Sequence, residues 1–88
     1  MAAYPNPFNP QTTIAFELPE ADEVTLRVMD LSGRLVRELV AGRTYGPGRH
    51  EVVWNGRDDA GRQVASGTYF YQYRDGDHVE TRRMVLVK

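Results

Sequence analysis

Apolar residues recur at every second position through most of this chain, and that pattern commits it to β-structure. Ile14, Phe16 and Leu18 share one parity, as do Val24, Leu26 and Val28, and as do Tyr69, Tyr71 and Tyr73. Side chains on a strand alternate between two faces, so a period of two marks strands with one face buried. No stretch shows a sustained helical period. Breaks rich in glycine, proline and aspartate punctuate the strands every 8–12 residues or so, the rhythm of a β-sandwich.

Taken in order, Thr12 to Leu18 reads as the first strand, and Pro19 to Asp22 ends it. A second runs from Val24 to about Leu31. Ser32-Gly33 supplies a tight turn, since glycine accepts the positive φ that such turns need. Leu35 to Val40 fits a helical turn nearly as well as a strand, and the hairpin-like turn before it favours a third strand. Ala41 to Arg49, with Gly42, Gly46, Pro47 and Gly48, reads as a loop. His50, Val52 and Trp54 alternate in a fourth strand. Asn55 to Arg62 is a polar turn, and Gln63 to Ala65 a short strand or bridge. Thr68 to Arg74 is the strand of the three tyrosines. Asp75-Gly76 favours a hairpin, and His78 to Val87 is the last strand. In it, either Met84 and Leu86 or Val85 and Val87 face inward. No internal repeat stands out.

The 88 residues suit one domain. Residues 1–11, with three prolines between Tyr4 and Gln11, read as a stiff, extended lead-in from an upstream domain, with Phe8 available to tuck against the sandwich edge. Residues 12–88 read as an all-β, immunoglobulin-like sandwich of about seven antiparallel strands. Trp54 and the tyrosines would fill its core, because the chain has no cysteine for a disulfide. The same absence excludes thiolate chemistry and cysteine-based zinc sites. The start Met1-Ala2-Ala3, with no apolar leader after it, reads as an added beginning on a piece of a longer protein. No apolar run is long enough to span a membrane.

The charge is −1, with acids frequent up to Asp30 and arginines frequent from Arg34. Such a balance gives little pull on nucleic acid or an anionic membrane. A solvated sandwich surface accounts for the charges. Chemistry-bearing clusters are scarce. His50 and His78 lie far apart, and Ser32 and Ser66 sit beside turn glycines with no G-x-S-x-G frame. No enzyme activity and no cofactor are expected. Asn55 to Gly61 holds several oxygen ligands but misses the calcium-loop spacing. A turn whose Asn and Asp accept backbone N–H bonds explains it better. Trp54 and the tyrosines could form a sugar platform, though their alternation fits burial. Phe70 faces away from Tyr69 and Tyr71, where it could meet a neighbouring domain or form a small sticky patch. Lys88 is the only lysine, so an internal Lys–Asn isopeptide bond is not expected.

Several short motifs follow one another in a telling order: Tyr4-Pro5-Asn6-Pro7-Phe8-Asn9-Pro10, Thr12-Thr13-Ile14, Asp30-Leu31-Ser32-Gly33-Arg34, Gly67-Thr68-Tyr69 and Met84-Val85-Leu86-Val87-Lys88. Together they resemble the C-terminal sorting domain, type A, of the bacterial type IX secretion system. Trp54 to Arg62 with Val64 to Tyr69 also resembles the related immunoglobulin-like domain of the flagellar hook-capping protein. The first resemblance implies a non-catalytic sorting and anchoring module at the end of a secreted cargo protein. Its expected partners are the outer-membrane secretion machinery, a sortase-like peptidase and the upstream cargo domain. Its expected location is the secreted or cell-surface fraction of a Gram-negative bacterium, reached through the periplasm. By motif matching, Asp30, Gly33, Arg34, Gly67, Tyr69, Met84, Val85, Leu86, Val87 and Lys88 are the residues read. The last strand could also be read as an open sheet edge, by β-augmentation. The alternatives are a structural module of hook-capping type and an accessory carbohydrate-binding module of a secreted hydrolase.

Overall fold

The computed structural model describes all 88 residues. Seven strands follow in chain order: β1 (Ala2–Tyr4), β2 (Thr12–Leu18), β3 (Asp22–Met29), β4 (Leu35–Tyr45), β5 (Gly48–Trp54), β6 (Gly67–Asp75) and β7 (His78–Leu86). They form a three-stranded sheet, β1-β2-β5, facing a four-stranded sheet, β4-β3-β6-β7. Every pairing of named strands is antiparallel. The all-β, immunoglobulin-like sandwich expected from the alternation is the fold observed.

The inward parities meet between the sheets. Ile14, Phe16 and Leu18 from β2 face Val24, Leu26 and Val28 from β3 and Tyr69, Tyr71 and Tyr73 from β6, all buried. Trp54 is fully buried, edge-on to Tyr69 at 5.4 Å between ring centroids. Its indole N–H donates to the Arg57 carbonyl at 2.9 Å, which satisfies the one polar group it carries inward. The aromatic residues are therefore core, and the sugar-platform reading loses its platform.

Three expectations need correction. Ala41 to Arg49 is not a loop: β4 continues to Tyr45, and only Gly46-Pro47 connects it to β5. Pairing with β3 slips three times along β4, so that Val36 and Leu39 are extra residues, and Ala41 and Gly42 together oppose Thr25 alone. Gly42 accommodates its slip at φ 65, a geometry glycine adopts without strain. These bulges break the period of two and explain the helix-like spacing of Val36, Leu39 and Val40. Secondly, β3 ends at Met29 and not Leu31, because the Asp30 carboxylate closes a loop at once. Leu31 is 73 % exposed.

The third concerns how much of the last strand is open, for β7 is an edge strand of its sheet but not open along its whole length. Its face is settled by β6: Tyr69 pairs with Met84 and Gly67 with Leu86, so Met84 and Leu86 are buried. Its outer edge is occupied over the tail. The Phe8 N–H donates to Val85 O and the Val87 N–H donates to Phe8 O, both at 2.9 Å. The Asn6 side chain adds two bonds, accepting from the Val85 N–H at 3.0 Å and donating to Arg83 O at 3.3 Å. The tail is thus not available for β-augmentation while this strap stays in place. Within residues 1–11, Ala2–Tyr4 pair with β2, and Phe8 is buried 5.6 Å from Trp54.

Candidate functional site

Two loops at one end of the sandwich share a construction. Asp30-Leu31-Ser32-Gly33-Arg34 joins β3 to β4, and Asp58-Asp59-Ala60-Gly61-Arg62 lies between β5 and β6. In the first, the Asp30 N–H donates to Arg34 O at 2.9 Å and the Gly33 N–H to Asp30 O at 3.0 Å. The Asp30 carboxylate accepts from the Ser32 and Arg34 amides, each at 3.0 Å. In the second, the Asp58 N–H donates to Arg62 O and the Gly61 N–H to Asp58 O, both at 2.9 Å. The Asp58 carboxylate accepts from the Ala60 amide at 3.0 Å and the Arg62 amide at 2.9 Å. The glycines take φ 87 and φ 81. The chain therefore does hold a short internal repeat, the five-residue D-x-x-G-R, whose spacing is visible in the sequence.

The chemistry follows from the carboxylates. Each aspartate accepts backbone N–H donors that favour its charged form. Asp30 is held below its ordinary pKa of 3.8, by the Ser32 hydroxyl first and then the Arg34 amide. Asp58 is held below its own 3.8, by the Arg62 amide first. Each also anchors its arginine by the Nε, at 3.4 Å for Arg34 and 3.1 Å for Arg62. The guanidinium tips are left facing water, with side chains 83 % and 78 % exposed. Between the loops lies an open groove of about 390 Å³, lined by Leu35, Val36, Ala60 and Val64 with the two arginines at its rim. Asp59 docks there on the outer edge of β4. Its N–H donates to Val36 O at 3.1 Å, and its carboxylate accepts the Glu38 N–H at 3.1 Å. A loop that pairs with an edge strand blunts that edge.

The residues singled out by motif converge on this end. Asp30, Gly67 and Tyr69 line one shallow cleft with Leu31, Ser32, Ser66 and Thr68. Gly33 and Arg34 belong to the loop beside it. Gly67 pairs with Leu86, and the Lys88 N–H donates to the Ser66 hydroxyl at 3.2 Å. The Tyr69 ring is core, and its hydroxyl donates to Ala65 O at 2.7 Å, fixing the linker that precedes β6. Burial, with the nearby Asp30 charge, pushes its pKa up. Met84 and Leu86 face inward, whereas Val85 is half-buried and Val87 and Lys88 are exposed. A partner docking on the folded domain meets the last two, the arginine tips and the loop backbone. The Asn55–Gly61 oxygens behave as the turn reading requires: Asn55 accepts the Arg57 amide, and Asp58 is committed to its own loop.

Comparison with known proteins then places the chain. The FlgD Ig-like domain family matches residues 4–74. The chain belongs to that family. Solved structures carry the same fold at low sequence identity. A domain of PorZ, described as an essential bacterial surface component of the type-IX secretion system of Porphyromonas gingivalis, aligns with 99 % of this chain at 23 % identity, TM-score 0.69. Dimeric latent PorU from the same organism aligns with 98 % at 19 % identity, TM-score 0.80. FlgD from P. aeruginosa aligns with 85 % at 22 % identity, TM-score 0.66. This FlgD-type domain spans 11 % of the PorZ chain, 9 % of PorU and 57 % of FlgD. The search of curated proteins gives no match.

Proposed function

We propose that this domain is a non-catalytic sorting and anchoring module, which takes a cargo fused upstream through the outer membrane of a Gram-negative bacterium to the cell surface. One observation carries the reading. The FlgD family match stops at residue 74, before β7, whereas the likeness to PorU runs over 98 % of the chain and so includes the last strand. That strand carries the Met84–Lys88 motif, and the Asp30–Arg34 loop and Gly67-Thr68-Tyr69 carry two more beside it. In PorZ and PorU the corresponding fold is a small part of a long chain, as an appended module would be. The partners in this reading are the outer-membrane secretion machinery and a sortase-like peptidase.

The absence of catalysis belongs to the same proposal. His50 bonds to Gly46 O and His78 to Glu80, on different sheets. The Ser32 hydroxyl is taken by Asp30, and Ser66 accepts from Lys88. A structural module of hook-capping type is the second reading, favoured by the family match itself.

A passenger protein fused upstream of Tyr4, in a bacterium carrying a type IX system, separates the two. The sorting reading expects the passenger to become sensitive to protease added to intact cells. It expects the same passenger on the FlgD domain from P. aeruginosa to stay protected. Equal protection of both fusions, with the domain folded, would refute it. Deleting Met84–Lys88 is a poor test, because it removes two core side chains and the partner of Phe8.

A further inference from the structure

The outer face of an antiparallel sheet that meets water should be polar. Most of the four-stranded sheet obeys. Arg27 lies opposite Glu38 on one side and Gln72 on the other, and Gln72 opposite Thr81. The row nearest the twin loops does not. Leu35, Met29, Phe70 and Arg83 stand directly opposite one another across all four strands, on the face away from the core. Beside them on β7 come Val85, opposite Thr68, and then Val87. Leu35 and Val87 are each 48 % exposed, and Met29, Phe70 and Val85 are half-buried. Three adjacent strands thus break the polar rule in register, and nothing in the core requires it.

The charges around this row have one sign to spare. Arg83 and Lys88 make no ion pair, whereas Arg27, Arg34, Arg37 and Arg82 each have a carboxylate partner. Unpaired acids are placed elsewhere: Glu17, Glu20, Asp22, Glu23 and Asp77 lie at or near the opposite end, around the β2–β3 and β6–β7 turns. An apolar row that ends on an unpaired cation, Arg83, fits a partner that brings apolar side chains together with a carboxylate.

We infer that the Leu35–Met29–Phe70 row with Val85, Val87 and Arg83 is a docking surface for an acidic, apolar protein segment lying across the strands. The segment's apolar side chains cover Phe70 and Met29, and its carboxylate meets Arg83. This inference stands apart from the export reading, since a hook-type module could use the same face. Binding without surface display would remove export and leave the docking surface in place.

The test uses the whole 88-residue domain and two capped ten-residue peptides, one alternating leucine with aspartate and one alternating leucine with lysine. Amide chemical shifts are followed by NMR during titration. The inference expects saturable shifts at Met29, Phe70, Arg83 and Val85 with the aspartate peptide, and at least tenfold weaker binding when sodium chloride rises from about 20 to 500 mM. Phe70→Ser and Arg83→Glu, both outside the core and each checked for an unchanged fold, should each weaken binding at least tenfold. No shifts at this row, equal shifts with the lysine peptide, or shifts that track protein concentration alone would overturn it. The last would make a second copy of the chain the occupant.

Discussion

Replacing Phe8 by alanine tests whether the proline-rich start belongs to the folded core. Phe8 is only 2 % exposed and lies 5.6 Å from Trp54 between ring centroids. Truncating a buried phenylalanine costs about 3–5 kcal/mol, from lost transfer energy and the cavity left behind. A domain of 88 residues has roughly 4–13 kcal/mol to lose. Phe8→Ala should therefore leave a barely stable protein, with Tm lower by about 12–40 °C. Urea unfolding followed by Trp54 fluorescence reads the change, since Trp54 is fully buried when folded. The midpoint should fall with the slope unchanged. The two backbone bonds of Phe8 to β7 survive the substitution, so the loss reports the side chain alone. A destabilisation below about 1 kcal/mol, the scale of an ordinary surface change, would show that Phe8 does not hold the strap in the core. Leu31→Ala, at a side chain 73 % exposed, is the matched control and should be near neutral.

Four further outcomes follow from the same geometry. Gly56→Ala forces a side chain into φ 74 with its Cβ 3.0 Å from Pro10 O, and should cost at least roughly 1–2 kcal/mol, whereas Gly46→Ala, with nothing within 4 Å, should not, as calorimetry would show. Asp30 and Asp58 titrate below their ordinary values in the folded state, so the stability they add is present above pH 3.8 and lost as pH falls through the lowered values. Acid unfolding of the Asp30→Asn, Asp58→Asn double variant should accordingly show a shallower loss below that pH. Asp59→Ala removes the acceptor of the Glu38 amide, and hydrogen exchange there should quicken roughly fivefold, as expected for losing about 1 kcal/mol. Tyr73, buried and donating to Asp75 at 2.5 Å, is raised far above the ordinary tyrosine range. In alkali its ultraviolet titration should coincide with unfolding, because the stability linked to its protonated form is present below pH 10 and is lost as pH rises.

How much of this could be read from residues alone depended on whether neighbours in sequence decide the outcome. β2, β3 and β6 announced themselves because Ile14–Leu18, Val24–Val28 and Tyr69–Tyr73 keep strict alternation. β4 did not, because its three register slips put Val36, Leu39 and Val40 at mixed parity, and bulges are set by the facing strand. The inward face of the tail was open until β6 supplied the register that buries Met84 and Leu86. The strap formed by Asn6 and Phe8 depends on residues nearly 80 positions away, beyond any local signal. The twin loops are the opposite case. Asp30-x-x-Gly33-Arg34 and Asp58-x-x-Gly61-Arg62 have identical spacing, and the aspartate that caps its own loop is a local device. Only the shortness of the repeat hid it. The motif residues could be named, but not sorted: the folded core takes Tyr69, Met84 and Leu86, and leaves Arg34, Val87 and Lys88 to solvent.

The decisive measurement is surface display of an upstream passenger in type IX-competent cells, scored by protease shaving, for the native domain and for the Arg34→Ala, Lys88→Ala double variant, whose two side chains face water. The native domain should place the passenger outside, and the folded variant should strand it in the periplasm. Equal display of both would mean that the solvent-facing motif residues are not what the export machinery recognises.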